Sequence, residues 1–133
     1  MTILPSGIPL NVSRINLSND DLETCCTFPD FTSLMDLNLN ENKLVQFPNL
    51  TKVARTLTML HIANNRIRSV PEEYAILPSL LELDLTCNEL QQFPNLTGMR
   101  SLGTLMLQKN NISWIPGEFL KSADLAYICA PRQ

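Results

Sequence analysis

The sequence predicts a repeat solenoid of the α/β class, in which short parallel β-strands stack side by side. Three observations support this prediction: the pattern LxxLxLxxNxL occurs five times, successive copies start 22 or 23 residues apart, and a proline follows four of the copies. One copy cannot bury its apolar positions alone, so the copies must stack to form one continuous core. The 133 residues therefore fit one domain.

The repeats divide the chain into three parts. Five repeats occupy residues 12–120 and start near residues 12, 34, 57, 80 and 102. Residues 1–11 are interpreted as an N-terminal lead-in. Residues 121–133 are interpreted as an irregular C-terminal cap or a truncated sixth repeat, because the pattern decays after Leu120 although Tyr127 is placed to begin another strand.

The asparagine of the motif has a predicted structural role. The LxL segment of each repeat predicts a strand whose leucines point inward. An Asn side chain that turns inward where this strand ends can bond backbone groups of its own and adjacent turns, which would otherwise be buried without partners. The sequence therefore predicts a structural ladder of asparagines, Asn42, Asn65, Asn88 and Asn110. Only the first repeat differs, because it carries Asp20 at this position.

A second apolar position lies three residues after the last leucine of each motif. A proline follows it in four repeats and prevents a helix from continuing. Cys25 holds this position in the first repeat, so it is predicted to be a core residue. The other members are Phe47, Val70, Phe93 and Ile115.

Residues 12–120 resemble the leucine-rich-repeat family, because all five copies keep the motif in register. The resemblance implies a right-handed horseshoe arc with a parallel β-sheet on the concave face and mostly irregular or short helical segments on the convex face. The string PNLT, at residues 48–51 and 94–97, alternates with prolines followed by glutamate. That alternation is similar to extracellular leucine-rich-repeat arrays of animals, but the cysteine clusters that cap such arrays are absent from this sequence.

In this family the variable residues between the strand leucines face the concave side and usually bind partners. The register assigns four carboxylates and the only histidine to this side. Two methionines occupy positions that should face solvent, and adaptable methionines suit a binding surface. A solvated polar face without a partner is the competing interpretation. The predicted binding residues are Asp36, Glu41, Met59, His61, Glu82, Asp84 and Met106.

Other classes of function find little support in the sequence. The net charge of −3 and the scattered Lys and Arg residues argue against nucleic acid. No apolar stretch approaches the roughly 20 residues of a membrane span. His61 lacks the clustered ligands of a zinc site and the pocket that acid–base catalysis needs. We therefore expect no catalytic residue, no metal and no cofactor.

The cellular location rests on opposing signals. Five sequons for N-glycosylation occur, where chance gives about two. Two are predicted on the returning segments, and the sites expected to be modified are Asn49, Asn95 and Asn111. In contrast, Met1–Leu10 lacks the pattern of a signal peptide, so the chain is either not secreted or a fragment whose signal has been removed. Cysteines too sparse for a disulfide framework also fit an intracellular protein, and Cys87 is predicted to be exposed.

The sequence thus predicts a module that binds a protein or peptide ligand through the concave face. Its expected setting is an extracellular or cell-surface receptor, in adhesion or immunity. The alternatives are an intracellular scaffold and a structural spacer within a longer array. The sequence does not define the oligomeric state.

Overall fold

The computed structural model describes residues 7–25 and 28–113, together with the backbone of residues 127–129. Six three-residue strands form one parallel sheet, and their order in the sheet is their order in the chain. Neighbouring strands pair without offset, so the same motif position recurs across the sheet. The strands are β1 (Arg14–Asn16), β2 (Asp36–Asn38), β3 (Met59–His61), β4 (Glu82–Asp84), β5 (Thr104–Met106) and β6 (Tyr127–Cys129). This parallel solenoid with few helices confirms the predicted fold class.

The motif leucines build the core in layers, one layer for each repeat. Leu34, Leu37, Leu39 and Leu44 of the second repeat are all 0% exposed. The central residue of every strand from β1 to β5 is buried while the residues on either side of it are not, as the period of two in a strand requires. Each layer closes over the layer before it, so burial depends on stacking.

The convex side is largely irregular. Among the described residues it contains two 3₁₀ helices, Thr51–Val53 and Glu72–Tyr74. Val53 is buried in the first of them, whereas the second buries none of its residues. These returns carry the chain back to the start of the next strand.

The second apolar position also contributes to the core. Phe47 is 2% exposed, and Cys25, Val70 and Phe93 are partly buried against the core. Ile115, the last member of this set, lies outside the described residues, as do Cys26, Trp114 and residues 121–126.

One glycine is required by the close approach of two successive repeats. A Cβ atom on Gly98 would lie 2.7 Å from the backbone oxygen of Ala75 and 3.0 Å from the Cα of Ile76. The N–H of Leu77 donates to the carbonyl oxygen of Gly98 at 3.1 Å and holds the same two turns together. Gly103 differs, because its nearest contact with an added Cβ would be an ordinary 3.8 Å.

Candidate binding face

The solvent-facing positions of the strands form two rows that run across the concave face. The pairing register aligns the first residue of each strand into one row and the last residue into another. The first row is Arg14, Asp36, Met59, Glu82 and Thr104, and the second row is Asn16, Asn38, His61, Asp84 and Met106. Six of the seven predicted binding residues therefore lie in these two rows, with Glu41 outside them.

Asp36 contacts cationic or potentially cationic groups on both sides. The Nε2 atom of His61 lies 3.3 Å from one carboxylate oxygen, and the Nε atom of Arg14 lies 3.9 Å from the other. The side chains of Asp36 and His61 are 27% and 23% exposed, so this pair is partly shielded from water. The contact places the imidazole against the carboxylate of β2, and Arg14 is the cation closest to that carboxylate among the described residues.

Glu82 and Asp84 are the two carboxylates of β4 that face solvent. Neither forms an ion pair with any described residue. Asp84 accepts a hydrogen bond from the backbone N–H of Thr86 at 3.0 Å, whereas Glu82 has no hydrogen-bond partner among the described side chains. Negative charge without an internal counterion is therefore concentrated on β4.

Glu41 lies beyond the end of β2, in the turn that follows the strand. Its side chain is exposed and its φ is +57°. Its N–H donates to the carbonyl oxygen of Ala63 at 2.8 Å and so joins two turns. The same turn position has a positive φ in every described repeat, and its occupants are Asn19, Glu41, Asn64, Cys87 and Lys109.

Three exposed apolar side chains, here called the Met35–Leu81 strip, border these carboxylates: Met35, Met59 and Leu81. They are 49%, 38% and 50% exposed. Met59 lies between Asp36 and Glu82 in the first row, while Met35 and Leu81 directly precede those two carboxylates in the chain. Met106, in the neighbourhood of Asp84, is half-buried.

Sequence reasoning identified Met59 but missed Met35 and Leu81. Strand alternation assigns the outward face to the first and last residues of each strand, and these two residues lie one position earlier, where the chain enters the strand. The repeat alignment could nevertheless have identified them, because both residues occupy the position directly after the first leucine of the motif.

The motif asparagines tie each repeat to the one before it. The Oδ1 atom of Asn65 accepts from the N–H of Leu44 at 3.0 Å, and its Nδ2 donates to the carbonyl oxygen of Leu39 at 3.0 Å. Nδ2 also donates within its own repeat, to the carbonyl oxygens of Ile62 and Ala63. The same bonds to the preceding repeat recur at Asn42, Asn88 and Asn110.

The three asparagines predicted to carry glycans are all exposed. The Oδ1 atom of Asn49 accepts from the N–H of Thr51 at 3.1 Å and from its hydroxyl. Asn95 makes the same turn with Thr97, and its Nδ2 donates to Glu72 Oε1 at 3.1 Å. Both amides lie on the convex returns, away from the two rows.

The cysteine thiols are not equally accessible. Cys87 is half-buried in its turn rather than fully exposed as its position suggested, and it takes part in no disulfide with a described residue. Within residues 7–25 and 28–113, no group of three or more His, Cys, Asp or Glu residues could hold a metal ion. Neither helical segment of the described chain has the length and apolar character of a membrane span.

Comparison with known proteins agrees with this architecture. Residues 55–112 match the family model described as leucine rich repeat. Human leucine-rich repeats and immunoglobulin-like domains protein 3 is 33% identical over 118 residues, which is 87% of this chain and 9% of that protein. Chicken lumican is 35% identical over 49% of this chain and 19% of its own length. Tsukushi-A of Xenopus laevis is 33% identical over 53% of this chain and 21% of its own length.

The chain belongs to the leucine-rich-repeat family. These relatives are extracellular or cell-surface proteins. The chain spans less than a quarter of the length of each relative named here.

Proposed function

We propose that this chain is a recognition module that binds a protein or peptide through its concave face. The observation that carries the proposal is that the side chain of Glu82 makes no ion pair that would stabilise the described fold. It is partly exposed, forms no ion pair with a described residue and lies beside the exposed Met59. A carboxylate and an apolar side chain that make no contribution to the core remain available to a partner.

The proposed setting is an extracellular or cell-surface protein that acts in adhesion or immunity. Support comes from the relatives, which are extracellular or cell-surface proteins. The exposure of Asn49, Asn95 and Asn111 is compatible with glycans, and the first two lie where sugars would not cover the two rows.

Binding is tested with the tagged, multimerised chain against an array of extracellular protein domains. Glu82→Arg reverses the charge at the centre of the face and should weaken capture of a cognate domain on the order of 10-fold, because like charges meet across the interface. Glu73→Arg is the matched control, since Glu73 is exposed in the second 3₁₀ helix on the convex side. Equal loss in both variants, or in neither, contradicts binding through the concave face.

Location is tested by intact mass of the protein from its native source, before and after enzymatic removal of N-glycans. A decrease in mass supports the extracellular proposal. An unchanged mass equal to that of the bare chain contradicts it and favours the second candidate, an intracellular scaffold. The half-buried Cys87 thiol, in no disulfide with a described residue, favours that candidate, which predicts complete alkylation of the denatured protein without reduction.

A further inference from the structure

The Met35–Leu81 strip consists of three exposed apolar side chains that lie in, or directly before, three successive strands. Met35 and Leu81 occupy the same motif position two repeats apart, and the carbonyl oxygen of Met35 accepts from the N–H groups of Thr58 and Met59 between them. Leu81 donates in turn to the carbonyl oxygen of Thr58 at 2.8 Å. The backbones that carry these three residues are therefore about 4.8 Å apart from one strand to the next, and Thr58 lies between Met35 and Leu81 in their row.

The charge beside this strip has one sign. Asp36, Glu82 and Asp84 border the strip, and within the described residues only Asp36 has close Arg or His partners, namely Arg14 and His61. Arg14 is 84% exposed and belongs to β1, three strands from Glu82. The end of the strip at Leu81 is therefore the more negative end, because Glu82 and Asp84 follow it without a counterion.

The Met35–Leu81 strip and the carboxylates beside it are large enough only for a short segment of a partner. From β2 to β4 the strip spans two strand spacings, or about 10 Å, and Glu82 and Asp84 are about 7 Å apart along their strand. This area accepts one or two apolar side chains and one or two cations. It is far below the roughly 800 Å² that each partner contributes to a standard interface between domains.

We infer that the concave face takes a cationic peptide segment, with Lys or Arg against Glu82 and Asp84 and an adjacent apolar side chain over Met59 and Leu81. The inference rests on the concave-face binding proposed above and adds the chemistry of the partner. Charge complementarity selects this occupant: an acidic segment would meet like charge, and a neutral apolar segment would leave two desolvated carboxylates without partners.

The test is a selection from a phage-displayed library of short random peptides, with the folded chain as bait at physiological ionic strength. Selected peptides should contain Lys and Arg, next to at least one large apolar residue, more often than the input library does. Synthetic versions should bind the Glu82→Gln/Asp84→Asn variant more weakly, by about 1.5- to 5-fold for each carboxylate removed. Asp84→Asn keeps the oxygen that accepts from Thr86, so this variant retains the local turn.

Two further variants separate the contribution of the carboxylates in the two rows from that of the apolar side chains. Asp30→Asn/Glu73→Gln removes two exposed carboxylates outside the rows and should leave peptide affinity unchanged. Met59→Ser/Leu81→Ser should lower affinity for the same peptides while the circular dichroism spectrum stays that of the wild type, because both side chains are exposed.

The results that would overturn the inference are distinct from failure of the proposed function. Selected peptides without an excess of Lys and Arg that still lose affinity in Met59→Ser/Leu81→Ser leave concave-face binding intact and exclude a cationic partner. Peptides that bind every variant equally contradict both the cationic-peptide inference and binding through the concave face. An empty selection excludes the cationic segment, while the domain array still tests the broader proposal. A dimer in sedimentation velocity that Leu81→Ser dissociates assigns the strip to a second copy of the chain instead.

Discussion

Asp84 accepts a hydrogen bond from the backbone N–H of Thr86, as Asn38 does from the N–H of Asn40. The side chain at the end of the strand thus closes the turn that follows. At β4 this residue carries a charge, so one carboxylate stabilises the turn and contributes to the acidic face.

Substitutions at Asp84 should separate these two roles. Asp84→Ala removes the acceptor and should lower the free energy of unfolding by about 0.5–1.5 kcal/mol, whereas Asp84→Asn keeps the acceptor and should change it by less than about 0.5 kcal/mol. Urea denaturation followed by circular dichroism measures both. Equal stability of the two variants would show that the bond to Thr86 does not stabilise the fold.

The asparagine ladder should be the polar feature most sensitive to substitution. Asn65→Ala leaves the N–H of Leu44 and the carbonyl oxygen of Leu39 without these partners in the interior, so we expect a loss of about 2–5 kcal/mol. Gln92→Ala, an exposed amide in the return of the fourth repeat, is the control and should cost less than about 0.5 kcal/mol. Comparable denaturation midpoints for the two variants would contradict the assigned role of Asn65.

The two glycines of the fourth and fifth repeats should respond differently to a methyl group. Gly98→Ala places a Cβ 2.7 Å from a backbone oxygen that cannot rotate away, so we expect a loss of about 1–3 kcal/mol. Gly103→Ala meets only an ordinary contact at 3.8 Å and should be neutral or slightly stabilising. Thermal unfolding of the two variants measures this difference. A Gly98→Ala protein as stable as wild type would refute the close approach of Gly98 to the backbone of Ala75.

Glu41 should be less stable in its turn than asparagine would be. Its φ of +57° is a conformation that asparagine tolerates better than most other residues, and asparagine occupies the equivalent position at Asn19 and Asn64. Glu41→Asn should therefore raise the free energy of unfolding by up to about 1 kcal/mol. Glu73→Asn, within the second 3₁₀ helix, should give no gain in the same urea titration. If both variants gained equally, loss of negative charge rather than backbone conformation would be the cause.

The repeat pattern contained enough information to predict the fold because its apolar positions can be buried in only one way. Strand centres such as Leu37 and Leu60 follow from the motif and are fully buried. The register follows as well, because each repeat places the same motif position beside its neighbour. The two returns that form 3₁₀ helices were predicted only as short helical or irregular segments, since three residues carry too little periodicity to locate a helix.

The candidate site was less predictable, for two physical reasons. Exposure of Met35 and Leu81 depends on how the chain bends into the strand, which the alternation of the strand does not describe. The contact of His61 with Asp36 depends on side-chain rotamers across two strands, whereas sequence spacing specifies only that the residues share a face. Whether these residues bind a partner remains a prediction that the variants above test.

The asparagine bonds between repeats all run in one direction, and this gives the solenoid a polarity. Each amide accepts from a backbone N–H in the repeat before it, so each of the first four repeats depends on its successor for such a bond. Asp20 occupies the equivalent position in the first repeat. Loss of a turn from the β1 end removes no asparagine acceptor from the remaining turns, whereas loss of a turn beyond β2 from the opposite end removes one. The two ends of the described array therefore differ in the side-chain bonds that a neighbouring turn supplies, although main-chain bonds cross each boundary in both directions.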